Sequence, residues 1–261
     1  MRLAFVQMRP IFGEIEKNVE KAVYLISTIE ADLVVLPELF STGSQFLSKK
    51  EVFEFAEDWR TGYAVKRLAE TARKNKSHIV AGFAEKAKAR VYNSAMLVGP
   101  KGVEGVYRKV HLFWHEKDYF SPGNTMFDVH DIGHARVGMM ICFDWIFPEA
   151  ARALALKKAD VIAHPSNLVL PYCPEAMRTR CLENRVYAVT ANRVGCEERI
   201  KGDRLRFIGL SQIVAPDGSI IYRAGRTREE ADVQIVDISK ARDKRITPRN
   251  DIFKDRRKGF Y

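Results

Sequence analysis

Cysteine is scarce: the 261-residue chain holds Cys142, Cys173, Cys181 and Cys196 and no others. Four thiols in a chain this long do not make a disulfide framework, and a reducing compartment would keep them free. Long apolar runs are missing too, and nothing approaches the roughly 20 residues of a membrane span. The opening MRLAFVQMRP lacks the apolar stretch and small-residue cleavage site of a secretory signal, so the cytoplasm is the expected location. No linker rich in Pro, Gly or Ser divides the chain, which therefore reads as a single domain over 1–261. There is no Gly-rich phosphate loop and no G-x-S-x-G elbow. His111 and His115 stand four apart in HLFWHE, but HExxH is absent and no second Cys/His cluster offers further ligands. No metal and no organic cofactor are expected.

Apolar content is ample: 46% hydrophobic residues can fill a substantial core. The net charge is +10, and much of it lies in the tail ARDKRITPRNDIFKDRRKGFY. Acidic residues interrupt that tail and no nucleic-acid motif accompanies it, so it reads as a solvated or subunit-contacting segment, about 243–261. Strand-like and helix-like patterns alternate along the chain. LAFVQM and ADLVVLPE read as strands. NVEKAVYLISTIE and VKRLAETARKNK read as helices, the first with Val19, Val23, Ile26 and Ile29 at helical spacing. HIVAGFAEK, VYNSAMLVGP and KGVEGVYRK follow as strands, the last two joined by a turn at Pro100–Gly102. EAARALALKK and a segment from about Pro174 to Asn184 read as helices; ADVIAHP, VYAVTANR and LSQIVAPDG read as strands. This interleaving predicts an α/β sheet protein. Two passages recur in the same order. ADLVVLPELF is echoed by ADVIAHPSNL, and AMLVGPKGVEGVYRK by SQIVAPDGSIIYRA. Two ordered echoes predict a doubled unit, with two similar sheets packed face to face and helices outside.

Strand ends are where α/β folds place their chemistry. Glu38 closes the apolar run Leu33–Pro37, where a carboxylate is costly unless paired or useful. Lys109, in VYRKVHLF, would face opposite to Arg108 on a strand. Cys142 closes VGMMIC and precedes a helix that Pro148 and Glu149 open. Taken singly, none persuades: a solvated glutamate is as good a reading as a catalytic one, a surface lysine is the better reading, and a packed cysteine is open. Together they supply a base, a cation and a thiol. Thiol attack on a carbonyl needs that set, and a nearby helix start and lysine would lower the thiol's pKa.

LPELF, YRKVHLF and ICFDWIFPE, in this order and at these separations, resemble the nitrilase superfamily of carbon–nitrogen hydrolases, and the resemblance runs from LAFVQM to NDIFKDRR. It implies a four-layer αββα sandwich and a Glu-Lys-Cys triad in which Glu38 matches the general base, Lys109 the cation and Cys142 the nucleophile. Glu116, in HEKDYFSPG, matches a second glutamate described in many members. The backbone N–H of Phe143 would share the oxyanion with Lys109. Branches acting on α-keto acid amides resemble C-Y-D-x-R-F-P-E; here Ile146 stands at the arginine position, which argues against a substrate carboxylate held there. Phe113, Trp114 and Trp145 are candidates to line a mostly apolar pocket. Arg180 and Glu183, in RTRCLENRVY, are expected as ion-pair partners. The tail resembles those that cross to a second subunit, so a homodimer or higher even assembly is expected. The implied activity is hydrolysis of a small amide or nitrile. N-carbamoyl amine hydrolysis, acyl transfer to another acceptor and a binding protein with the same fold are the alternatives.

Overall fold

The computed structural model describes residues 1–260. The first half runs β1 (Arg2–Gln7), α1 (Ile15–Ser27), β2 (Leu33–Val35), α2 (Lys49–Phe55), α3 (Tyr63–Asn75), β3 (His78–Ala87), β4 (Arg90–Gly99) and β5 (Gly102–Arg108). After α4 (Glu116–Tyr119), the second half runs β6 (Val129–Asp131), β7 (Arg136–Met139), α5 (Pro148–Leu156), β8 (Val161–Pro165), α6 (Cys173–Asn184), β9 (Tyr187–Ala191), β10 (Cys196–Ile200), β11 (Asp203–Arg206), β12 (Gln212–Val214) and β13 (Ile220–Arg223). β14 (Glu230–Ile235), α7 (Ser239–Arg242), β15 (Arg245–Thr247) and β16 (Asn250–Asp251) complete the chain.

The strands form two six-stranded sheets, ordered β14-β1-β2-β3-β4-β5 and β6-β7-β8-β9-β12-β13. The two have the same plan. In each, three parallel strands stand next to an antiparallel pair, and an antiparallel strand closes the other edge. The echoed segments occupy equivalent places: β2 matches β8, and the β4–β5 hairpin matches β12–β13. The doubled unit expected from the echoes is therefore the architecture.

Alternation explains the layering. In β1, Leu3 and Phe5 face the second sheet and pack with Val137, Met139, Ile162 and Val189. Ala4 and Val6 face the other way, toward Val19, Ala22 and Ile26 of α1 and Leu68 of α3. Outside the second sheet, α5 and α6 bring Leu154, Met177 and Cys181 into the same core as the inner faces. The result is the αββα sandwich. No helix among the described residues is long and apolar enough to cross a membrane.

Several boundaries differ from the sequence reading. The ADLVVLPE strand is three residues long, Leu33–Val35, because the chain turns toward the site before Glu38. α1 begins at Ile15, three residues before NVEKAVYLISTIE. α2, the β10–β11 hairpin and β14 were not anticipated. His111 and His115 share no helix face: His111 Nδ1 meets Asp144 Oδ1 at 2.7 Å, whereas His115 Nδ1 meets Asp118 at 3.2 Å. Among the described residues no group of side chains has the makings of a metal site.

Candidate active site

Glu38, Lys109 and Cys142 each follow a sheet strand at its carboxyl end, after β2, β5 and β7. The fold brings them together although 104 residues separate Glu38 from Cys142, by subtraction of their numbers. Lys109 Nζ donates to Glu38 Oε1 at 2.6 Å and to Glu116 Oε1 at 2.8 Å. Asn93 Nδ2, on β4, donates to the same two oxygens at 2.7 and 3.1 Å. The second oxygen of Glu116 accepts the Phe113 amide at 2.8 Å. The second oxygen of Glu38 is buried and accepts no hydrogen bond. One face of this carboxylate is thus fixed by Lys109 and Asn93, and the other is left free to take a proton.

Close backbone packing holds these groups. A Cβ on Gly82 of β3 would stand 2.5 Å from the Cα of Glu38, so only glycine lets β3 press against this loop. Gly123 does the same behind Lys109: a Cβ there would be 2.1 Å from the Arg108 carbonyl oxygen. Leu39, Trp114 and Cys142, each in or beside the site, have φ of 47°, 50° and 40°. Non-glycine residues held in this left-handed region cost about 1–3 kcal/mol each, and such strain collects at functional sites.

The Cys142 conformation has identifiable supports. The residue opens a 3₁₀ turn, Cys142–Ile146. Asp144 Oδ2 accepts the Ile141 amide at 2.8 Å and the Tyr107 hydroxyl at 2.8 Å. Asp144 Oδ1 meets His111 Nδ1, and the His111 ring stacks on Phe147 with centroids 3.7 Å apart. Asp144 therefore ties the thiol turn to the segment bearing Lys109. From below, His164 Nε2 is 3.0 Å from the Cys142 carbonyl oxygen, and its Nδ1 is 3.1 Å from Thr190 Oγ1. A carbonyl only accepts, so Nε2 carries the proton. Burial holds the His164 imidazole down to about 4, so it stays neutral. The Phe143 amide precedes the first hydrogen bond of the 3₁₀ turn, from the Asp144 amide to the Ile141 carbonyl, so the turn gives it no partner.

Electrostatics corrects one expectation. Burial and the Glu38 carboxylate push the Cys142 thiol well above its ordinary value, and Lys109 only partly offsets them. The resting thiol is neutral and needs a base. Burial is the largest cause, and charge adds to it, since one ammonium faces two carboxylates. Burial draws the Lys109 ammonium down, but Glu116 and Glu38 outweigh it and hold Lys109 well above the ordinary lysine value, as a cation. Burial pushes Glu116 up, Lys109 draws it back and Glu38 adds to the rise, so Glu116 titrates at about 7.

Glu38, Glu116 and Cys142 line one small cavity together with Phe113 and Trp114. Trp145 lies on an adjoining cleft with Phe143, and Phe113 borders both spaces. Trp114 is largely exposed, at the cavity's margin. Arg180 pairs with Glu183 at 2.7 Å as expected, and its Nε also donates to the Trp145 carbonyl at 3.1 Å. Several contributors were missed. Asn93 sits in an apolar strand, VYNSAMLV, where a buried amide was a usable signal. Asp144 stands within CFDW without any local hint of its contacts. Asn167, after β8, occupies the place equivalent to the Glu38 loop. It lines both spaces beside Cys142, and its side-chain nitrogen and oxygen are buried without partners. Ile200, Asp203 and Leu205, on the hairpin inserted between β9 and β12, wall the cavity.

Known proteins share this arrangement of chain. A nitrilase from Pyrococcus abyssi is 52% identical, over 100% of this chain and 99% of that protein. An (R)-stereoselective amidase from a Pseudomonas species is 36% identical, covering 87% of this chain and 81% of its own. The crystal structure of a carbon–nitrogen hydrolase from Helicobacter pylori G27 superposes with a TM-score of 0.90 at 27% identity, over 100% of this chain and 97% of that one. The model of the carbon–nitrogen hydrolase family matches residues 2–245, and the chain belongs to that family.

Proposed function

We propose that this enzyme hydrolyses the carbon–nitrogen bond of a small amide or nitrile through a thioester on Cys142, releasing ammonia and a carboxylic acid. The observation that carries the reading is the unpartnered Oε2 of Glu38 in a cavity shared with a neutral thiol, while Oε1 is fixed by a lysine held cationic.

With an amide, Glu38 Oε2 accepts the Sγ proton as sulfur attacks the carbonyl carbon. Lys109 and the Phe143 amide hold the oxyanion. Glu38 then returns the proton to nitrogen, and ammonia leaves as the carbonyl re-forms. Water enters, gives a proton to Glu38 and attacks the thioester; collapse expels the thiol, which regains its proton. A nitrile follows the same path after addition of a first water to the thioimidate. Glu116 and Asn93 act as positioning residues through Lys109 and Glu38. Phe113, Trp114 and Trp145 provide apolar walls to the substrate space. Neither the proton transfers nor the oxyanion contacts call on a metal or organic cofactor.

The test is ammonia release from short amides, ω-amides, N-carbamoyl amines and small nitriles, with wild type and Cys142→Ala side by side. Release by wild type alone, together with an acyl adduct on Cys142 of wild type quenched during turnover and seen by intact mass, is the expected result. Equal release by both proteins would remove Cys142 from the mechanism. We further propose a reducing, cytoplasmic setting, which keeps the thiol available, and an even homo-oligomer in which the tail from about 243 meets a second subunit. The exposed Ile246 and Phe260 side chains support that contact. Sedimentation of the full chain against one ending at Arg242 tests it; an unchanged assembly would exclude the tail.

A further inference from the structure

Buried polar atoms nearly always have a partner, so those without one in the wall of a cavity describe what the cavity takes. Besides Glu38 Oε2, one other carboxylate oxygen in this wall is of that kind among the described residues. Oδ2 of Asp203 is shielded from solvent and accepts no hydrogen bond. His115 Nε2 is 3.6 Å away, within ion-pair range when that imidazole is protonated but beyond hydrogen-bonding length. Asp203 is nonetheless firmly placed. Its carbonyl accepts Gln45 Nε2 at 2.6 Å. Its hairpin is pinned by Glu197, whose Oε2 accepts the Ser44 and Gln45 amides at 3.0 and 2.7 Å. The residue is thus held through its backbone and its hairpin, while Oδ2 of its carboxylate accepts no hydrogen bond.

The surroundings define what would suit it. Glu38 and Glu116 share the single charge of Lys109, and Asp203 adds a further carboxylate to the same cavity. Arg204 lies on the opposite face of β11 and engages Cys196 and Glu198. The remaining wall is mostly apolar, with Phe46, Phe120, Ile200, Leu205 and Phe207, and carries Ser44, Gln45, His115 and Asn167 as further polar side chains. Building on the hydrolase reading above, we propose that Asp203 is a specificity-determining residue that receives a cationic, hydrogen-bond-donating end of the substrate. Preferred substrates are then small amides or nitriles whose reacting carbon is joined through an apolar spacer to an ammonium group. A chain ending in a carboxylate meets Asp203 with like charge and is disfavoured.

The experiment compares, for spacers of two to five methylenes, ω-aminoamides with alkylamides of equal length and with ω-carboxyamides. In wild type, the best aminoamide should exceed its alkyl counterpart in kcat/KM by about tenfold or more, chiefly through KM, the size of effect a charged hydrogen bond gives. Within Asp203→Asn that ratio should fall toward one, and Asp203→Lys should turn the preference toward the carboxyamides. A wild-type ratio near one at every length, or a ratio that survives Asp203→Asn, overturns the proposal. Cys142-dependent ammonia release would still uphold the hydrolase reading in that case. If neither these amides nor the matching nitriles are turned over, the hydrolase reading fails and binding decides about Asp203. Calorimetric titration of Cys142→Ala should then show tighter binding of pentylammonium than of pentanoate, and the double variant with Asp203→Asn should lose it. Equal binding of the two ions overturns the proposal.

Discussion

Lys109 carries two tasks at the scale of one residue. Its ammonium fixes Glu38 and Glu116 and, in the proposed mechanism, holds the developing oxyanion. Removal of one such donor typically costs about 100- to 1000-fold in rate. Lys109→Ala should therefore lose at least that much in kcat, since it also releases Glu38. Near-normal turnover in a stopped assay would strike Lys109 from the mechanism. His164 carries a prediction of a different kind. It is depressed to about 4 by burial, against an ordinary value of 6.5. Above 6.5 folded and unfolded chains both hold it neutral. As pH falls from 6.5 toward 4, only the unfolded chain binds the proton, and the fold loses up to about 3 kcal/mol. His164→Asn should flatten the fall in urea-unfolding free energy across that window, whatever it does to stability at pH 7. Parallel curves for the two proteins would show that His164 does not cause it.

Among the elements, the β10–β11 hairpin separates fold from selectivity. It has no counterpart in the first half, where a tight turn joins the equivalent strands β3 and β4. Arg199 fastens it: Nη1 and Nη2 reach the two oxygens of Glu51 at 2.9 and 2.7 Å, and the guanidinium lies 3.6 Å over the Phe12 ring. Arg199→Ala should loosen a cavity wall while leaving the Glu38–Lys109–Cys142 geometry in place. KM should rise several-fold with a smaller change in kcat; a fall in kcat alone would argue that the hairpin aligns the reacting groups instead. The hairpin also shows why parts of the molecule were hard to read. CEERI and DRLR are short and charged, so they lack the alternation of a half-buried strand. By contrast Glu38, Lys109 and Cys142 were legible because each stands at or beside the end of an apolar or alternating run. Glu116 came from resemblance alone. Asn93 showed only as an amide in an apolar strand, and its role stayed unread because its partner Glu38 lies 55 residues away in sequence and is reached across the sheet. The thiol's raised pKa was misread because a local view weighed a lysine and a helix start, and left out the burial of the thiol and the charge of Glu38.

At the scale of the whole molecule, the two halves face each other as near copies, and each supplies part of the site. The first contributes Glu38, Lys109 and Asn93; the second contributes Cys142, Asn167 and the hairpin. The echo in the sequence foretold the copies. It did not foretell that the first sheet is finished by a strand from beyond the second. Residues Arg2–Gln7 pair along their full length with Ile235–Glu230. During synthesis the first strand of the chain therefore waits, with one edge unpaired, until nearly the whole polypeptide has been made. An open apolar strand edge is a template for pairing with another chain. The growing protein is thus most exposed to misassembly before residue 230 is made, and a chaperone that shields its first strand would serve it longer than one acting after release.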